Sequence, residues 1–204
     1  MTNRLLWPVR RVAGETSRIF VTFDDGPDNR YTPEILSSLD EAGAKATFFL
    51  LGGRARAEPL LVREIANAGH GVGLHGMSHT SFWFRNRKWI RQQLLDNLLA
   101  IRAATPDTAV EFFRPPYGRF SLSALRVARS LGLRTVLWSL NSRDYRATSP
   151  DEIFTRVLSA VRPGDIVLFH DGPRGGEKTS YVLPKLLSAL TANGFQLASL
   201  SEAF

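Results

Sequence analysis

The sequence predicts an α/β fold, a small and irregular β/α barrel of about seven strands in a single domain. Three observations carry the prediction. Short β-branched or aromatic runs alternate with helical patterns along all 204 residues, the rhythm of a parallel sheet. No repeat, low-complexity tract or long linker interrupts them, and the length suits one domain with a sizeable core. Polar clusters follow the first, third, fourth, fifth and sixth strand candidates, always on the C-terminal side. In a barrel, loops from many strand ends meet at one mouth. An open sheet gathers its site at a switch point between two strands.

The first strand candidate spans 19–23 and runs into Asp24-Asp25-Gly26-Pro27. A helix is expected over 32–42, opened by Thr32 and Pro33 as N-cap and first-turn pair and stopped by Gly43. Strand 46–50 and helix 59–68, with its stop at Gly69, come next. Strand 72–74 leads into His75-Gly76-Met77-Ser78-His79, and helix 88–104 follows. Strand 111–114 ends in Arg114-Pro115-Pro116-Tyr117-Gly118, ahead of helix 121–131 and Gly132. Strand 135–139 precedes Asn141-Ser142-Arg143-Asp144-Tyr145 and helix 151–161. Strand 166–169 delivers His170-Asp171, helix 181–193 stops at Gly194, and strand 195–199 completes the set.

Composition narrows the function classes. Hydrophobic residues make up 44% and charged residues 22%, as in ordinary soluble domains. With no cysteine, neither a disulfide framework nor a thiolate metal site is available, so any metal must use His and carboxylate ligands. The segment from Met1 to Arg11 is too short and interrupted for a secretory signal, and no later window approaches a membrane span. The expectation is a cytoplasmic protein with an N-terminal extension, 1–17, ahead of a domain at 18–204. The net charge of +7 reads as a solvated basic surface, because the arginines are scattered and no nucleic-acid motif is present.

The clusters carry the chemistry. Asp24 and Asp25 end a strand, where adjacent residues point to opposite sides, so the two carboxylates can take different jobs. Alone, that segment reads as an Asp-Gly turn with helix-cap carboxylates. His75 and His79 have i,i+4 spacing, which puts both imidazoles on one face of a helical loop and offers two nitrogens to zinc. Arg114 can pair with a carboxylate, and the double proline leaves the Tyr117 N–H free to face a developing oxyanion. His170 at a strand end suits a general acid, and Asp144 can orient it or simply form a turn. His70, in a turn after a helix, reads as structural. Two readings stay open for 81–91: Phe82, Trp83 and Trp89 pack under the loop, or Trp83 and Phe84 stay exposed with Arg85, Arg87 and Lys88 facing an anionic membrane surface or glycan.

From Arg18 to Leu200 the chain resembles the polysaccharide deacetylases, the NodB-homology group of carbohydrate esterases, on Phe23-Asp24-Asp25-Gly26-Pro27 and Arg114-Pro115-Pro116-Tyr117-Gly118. In length it is most similar to the small bacterial chitooligosaccharide deacetylases. The resemblance implies an irregular (β/α)7 barrel that hydrolyses N-acetyl groups of amino sugars. It implies Asp25, His75 and His79 as ligands of Zn²⁺ or another divalent cation such as Co²⁺. Asp24 becomes the general base with Arg114 as partner, Tyr117 the backbone oxyanion donor, and His170 the general acid tuned by Asp144. Tyr117, Leu168 and Tyr145 become substrate contacts, Leu168 lining the acetyl pocket. Gly76 departs from a usual Ser or Thr, Asn141 from a frequent Asp, and Tyr145 from a frequent Trp. The implied substrate is an amino-sugar glycan or its lipid-linked form, deacetylated or deformylated. A catalytically silent glycan-binding homologue is the alternative from another class.

Overall fold

The computed structural model describes residues 7–204; residues 1–6 of the expected N-terminal extension lie outside them. Strand β1, Arg18–Asp24, is the hub of the sheet, and its period-2 pattern divides the core. Ile19, Val21 and Phe23 pack outward with residues of the surrounding helices, whereas Phe20 packs inward with Phe49, Phe112, Val136 and Ile166. The inward series continues through Thr22 to Asp24, so alternation alone delivers Asp24 to the top of the barrel interior.

The order is β5-β4-β3-β2-β1-β7-β6, and every strand pair is parallel. Here β2 is Thr47–Leu50, β3 Gly71–Leu74, β4 Val110–Phe113, β5 Arg134–Thr135, β6 Leu140–Asn141 and β7 Ile166–His170. One edge of β1 is shared: β8, Gln196–Ala198, pairs with Arg18–Phe20, and β2 pairs with Thr22–Asp24.

The expected single strand at 135–139 is instead two short pieces, which is why eight strands stand where seven were expected. The segment changes neighbours midway. The Val136 N–H donates to the Phe113 carbonyl at 2.9 Å, and the Ser139 N–H donates to Ile166 at 3.1 Å. One kinked stretch therefore links the two ends of the sheet and closes the ring as an irregular (β/α)7 barrel. Residues 9–12 seal its underside. Val9 exchanges hydrogen bonds with Thr135 and Leu137, and Val12 donates to Gly164.

Around the barrel run α1 (Thr32–Glu41), α2 (Gly52–Ala57), α3 (Pro59–Asn67), α4 (Arg87–Ala104), α5 (Leu122–Ser130), α6 (Pro150–Ala160) and α7 (Gly176–Ala192). Asn86, Ser121 and Ser149 cap α4, α5 and α6 through their side-chain oxygens. Helix α2 had no sequence signal, because two glycines open it and one turn or so shows no stripe. Helix α7 begins at Gly176, not at 181, since glycines mask its first turn. Thr32 does not cap α1: Tyr31 does, without a side-chain bond, and Thr32 is already helical. Among the described residues, no helix is long and apolar enough to cross a membrane.

Candidate active site and metal centre

The strand ends bring Asp24, Asp25, His75, His79, Arg114, Tyr117, Asp144 and His170 to one mouth. Strict alternation would send the Asp25 carboxylate outward. Asp25 instead lies past the end of β1 at φ 77, and this left-handed turn brings it back toward the histidines. Its Oδ1 sits 3.5 Å from His75 Nε2 and 3.3 Å from His79 Nε2. The 75–79 loop is not helical, contrary to the spacing argument. Gly76, at φ +86, turns the chain there so that the two imidazoles converge, their centroids 5.3 Å apart.

These three residues fit a divalent ion. One ligand atom from each lies within 4.8 Å of the others, a carboxylate oxygen with two imidazole nitrogens. Asp25 Oδ1 is buried with no hydrogen-bond partner. His75 Nδ1 lies 2.7 Å from the Arg114 carbonyl, which assigns the ring proton there and leaves Nε2 free to ligate. Burial drives the His75 pKa down to about 3, outweighing the nearby Asp25 charge, so the imidazole is neutral at working pH.

Arg114 is fully buried on the same interior face as Phe112. Its Nη1 donates to Asp24 Oδ1 at 2.7 Å and Thr22 Oγ1 at 2.8 Å, and its Nη2 donates to the Leu137 carbonyl at 2.9 Å. The guanidinium stacks 4.0 Å from the centre of the Phe49 ring. Burial raises the Asp24 pKa above the usual carboxylate range against the pull of Arg114 and His170, and it lowers that of Arg114 against the pull of Asp24. Desolvation of the two ions exceeds their mutual attraction. The guanidinium thus holds a basic carboxylate in place.

Tyr117 occupies a left-handed turn at φ 60, and among the described residues its N–H has no acceptor. Its ring meets His79 edge-on at 4.2 Å. Across the mouth, His170 Nδ1 lies 2.7 Å from Asp144 Oδ1, while Asp144 Oδ2 accepts the His170 N–H at 2.6 Å and the Thr179 hydroxyl at 2.8 Å. Burial lowers the His170 pKa, but the Asp144 hydrogen bond and the charges of Asp144, Asp24 and Asp25 outweigh it, for a net rise to about 9. Tyr145 stands edge-on to His170 at 5.3 Å. Leu168 is buried on the same face of β7 as His170, one pleat deeper.

A protonated acid is lost as pH rises through its pKa. Asp144→Asn removes both the charge and the charged acceptor that raise His170. The alkaline limb of kcat should therefore move to lower pH, by one unit or more given about 1.4 kcal/mol per unit. An unmoved limb would assign that limb to another group.

The family model for polysaccharide deacetylases matches residues 11–136. The chain belongs to this family. A chitooligosaccharide deacetylase of Sinorhizobium fredii is 37% identical over 194 residues, covering 90% of each chain. The crystal structure of a peptidoglycan N-acetylglucosamine deacetylase superposes with a TM-score of 0.92 at 32% identity, over 98% of this chain and 94% of that one. A CE4 family pseudoenzyme from Bacillus anthracis superposes at 0.89 and 28% identity, over 97% of this chain and 68% of that one. The scaffold therefore occurs with and without activity, and the site residues must carry the functional argument.

Two supports of this polysaccharide deacetylase site escaped sequence reasoning. Asn97, fully buried on α4, accepts the N–H groups of His75 at 3.1 Å and Gly76 at 2.9 Å. It clamps the loop at the point where Gly76 lacks a side chain of its own. A signal existed: Asn97 interrupts the apolar stripe of Ile90, Leu94 and Ile101. Asn97→Ala should weaken metal binding on the order of 10–100-fold, the usual effect of losing an outer support. Asn97→Asp, which keeps an acceptor oxygen, should recover part of it; competition with a chelating dye reads both. Asp171 is the second support. It is buried, accepts the Thr32 hydroxyl at 2.8 Å, and donates its N–H to the Asp24 carbonyl at 3.1 Å. A Cβ on Gly26 would fall 1.9 Å from its Oδ2, so only glycine fits between Asp24-Asp25 and Asp171.

Proposed function

We propose that this chain is a metal-dependent deacetylase that hydrolyses the N-acetyl amide of amino-sugar units in an oligo- or polysaccharide. The observation that carries the reading is the juxtaposition of Asp24 and the Asp25-His75-His79 set with the Asp144-supported His170 on the other side of one mouth. Relatives named for chitooligosaccharide and peptidoglycan N-acetylglucosamine deacetylation support the substrate class.

Asp25, His75 and His79 would hold Zn²⁺ or a similar ion. When bound, such an ion polarises a carbonyl and makes water more acidic. Asp24, a carboxylate of raised basicity, takes the proton from the attacking water. The Tyr117 N–H faces the oxyanion that develops on the former carbonyl. His170 holds a proton for the departing amine, which otherwise would leave as an unstable amide anion. Asp144 keeps that proton on the ring, and Leu168 with Tyr145 and Tyr117 surrounds the acyl group.

The test is a screen of acetylated and formylated amino sugars, free and lipid-linked, with mass spectrometry scoring each acyl loss. Acetate release that stops on chelation and returns with Zn²⁺ or Co²⁺ is expected. His79→Ala should abolish both the activity and the stoichiometric metal found by elemental analysis. Full metal content in that variant sinks the ligand assignment, and loss of formyl alone would establish the deformylase.

A further inference from the structure

The loops that bring the reacting groups together also present an outer surface of one charge. In the loops after β1, β3, β4, β6 and β7, every exposed Asp, Glu, Lys or Arg is an arginine: Arg30, Arg85, Arg119, Arg143, Arg146 and Arg174. The carboxylates of these loops and strand ends turn inward or are already paired. Asp24, Asp144 and Asp171 are buried, Asp25 faces the histidines, and Asp28 is held by Arg54 at 2.9 Å. Among the described residues none of these exposed arginines forms an ion pair.

The loop after β3 adds apolar reach to this charge. Of the packing expected for 81–91, Phe82 and Trp89 follow it and Trp83 does not. Phe82 is buried against Trp89 and Phe113, so this loop has a core contact already. Trp83 and Phe84, in contrast, are 48% and 94% exposed, with their rings set edge to face at 5.6 Å. Arg85 follows directly, its guanidinium 4.9 Å over Trp89.

Helix α4 then opens with exposed Arg87 and Lys88, with exposed Arg91 a turn further on and no acid in its first turn. Cations at the positive end of a helix dipole oppose the helix that carries them. No Asp or Glu lies between Glu64 and Asp96 to offset them. Folding therefore accounts for neither choice: the aromatics forgo burial, and the cations sit at the wrong helix end. Both losses are recovered against a partner that is apolar within and anionic at its surface.

We infer that this face docks on an anionic lipid surface, with Trp83 and Phe84 entering the interface while Arg85, Arg87, Lys88 and Arg91 meet lipid phosphates. Amphipathic aromatics seat at the headgroup level, and clustered basic side chains are drawn to an anionic leaflet. A lipid surface fits better than a small anion because the charge is spread. The exposed arginines leave from several strand ends and ring the mouth, whereas one bound anion needs donors that converge on it. A soluble polyanion would use the charge and leave the aromatic pair without a purpose. Docking needs no turnover, so the inference stands apart from the deacetylase reading.

The experiment is co-sedimentation of the purified chain with phosphatidylcholine vesicles, with and without an equal part of phosphatidylglycerol. Binding is expected only with phosphatidylglycerol, and it should weaken as salt rises. Trp83→Ser with Phe84→Ser should lower the partition coefficient on the order of tenfold or more. Arg87→Glu with Lys88→Glu should lower it on the order of 100-fold, since two attractions become repulsions. Those glutamates suit the positive end of α4, so the Tm should not fall and lost binding cannot be laid to lost folding. On a short soluble chitooligosaccharide the serine variant should match the parent in kcat/KM. No sedimentation with anionic vesicles at low salt overturns the docking face, as does vesicle binding that the serine variant leaves unmoved. Retention on immobilised heparin without vesicle binding assigns the charge to a soluble polyanion and overturns it equally. A raised KM of the serine variant on the soluble oligosaccharide, without vesicle binding by the parent, assigns the aromatics to the glycan instead.

Discussion

Asp24→Asn is expected to lower kcat on the order of 10²–10⁴-fold while the protein keeps its metal. The substitution is nearly isosteric, and its amide oxygen can still accept the Arg114 Nη1 bond now made at 2.7 Å. What disappears is the basic lone pair. Asp25, His75 and His79 are untouched, so elemental analysis should find the ion in the variant. The acidic limb of the wild-type profile should lie above the ordinary carboxylate range, because burial raises Asp24, and activity is gained as pH rises through that limb. Near-normal turnover in the variant would place the base elsewhere.

The second large effect is on stability. Arg114→Ala should cost about 3–5 kcal/mol, the range for removing one partner of a buried ion pair. Its absence leaves Asp24 buried without a counter-charge, strips donors from the Val136 and Leu137 carbonyls, and opens a void over Phe49. Arg114→Lys should recover only part of this, since one ammonium cannot reproduce a planar fork that reaches both β1 and the kinked segment. Denaturant unfolding measures both. A loss below about 1 kcal/mol for the alanine variant would mean that the network is not holding the fold.

The barrel was legible because each strand signals its own burial and each helix its own stripe. The polar clusters after the strands marked the places of Asp24, Arg114 and His170, which sit at inward positions of β1, just past β4 and at the end of β7, whereas their roles came chiefly from the family resemblance. Three things were not legible, for different reasons. The inward turn of Asp25 depends on a positive φ that no aspartate advertises. The convergence of His75 and His79 depends on Gly76, and periodicity suggested a helix in its place. The split of 134–141 into β5 and β6 follows from ring closure, a global condition invisible to a local window. Residues that hold others, such as Thr179 and Thr32, carry their message in three dimensions only.

Arg114 ties Asp24, His75 and the closing kink into one unit, since its carbonyl holds His75 while its side chain holds Asp24 and the Leu137 carbonyl. This wiring ranks how such a chain can lose its activity over generations. His79 is 30% exposed at its side chain and touches only Asp25 and the rings of His75 and Tyr117 among the contacts described, so it can drift at little cost. Asp24 can drift next, to any small acceptor that satisfies the guanidinium. Arg114 drifts least readily, because its loss leaves Asp24 buried without a counter-charge and the Val136 and Leu137 carbonyls without their donors. A silent descendant would therefore be expected to keep its arginine as a relic long after the chemistry around it has gone.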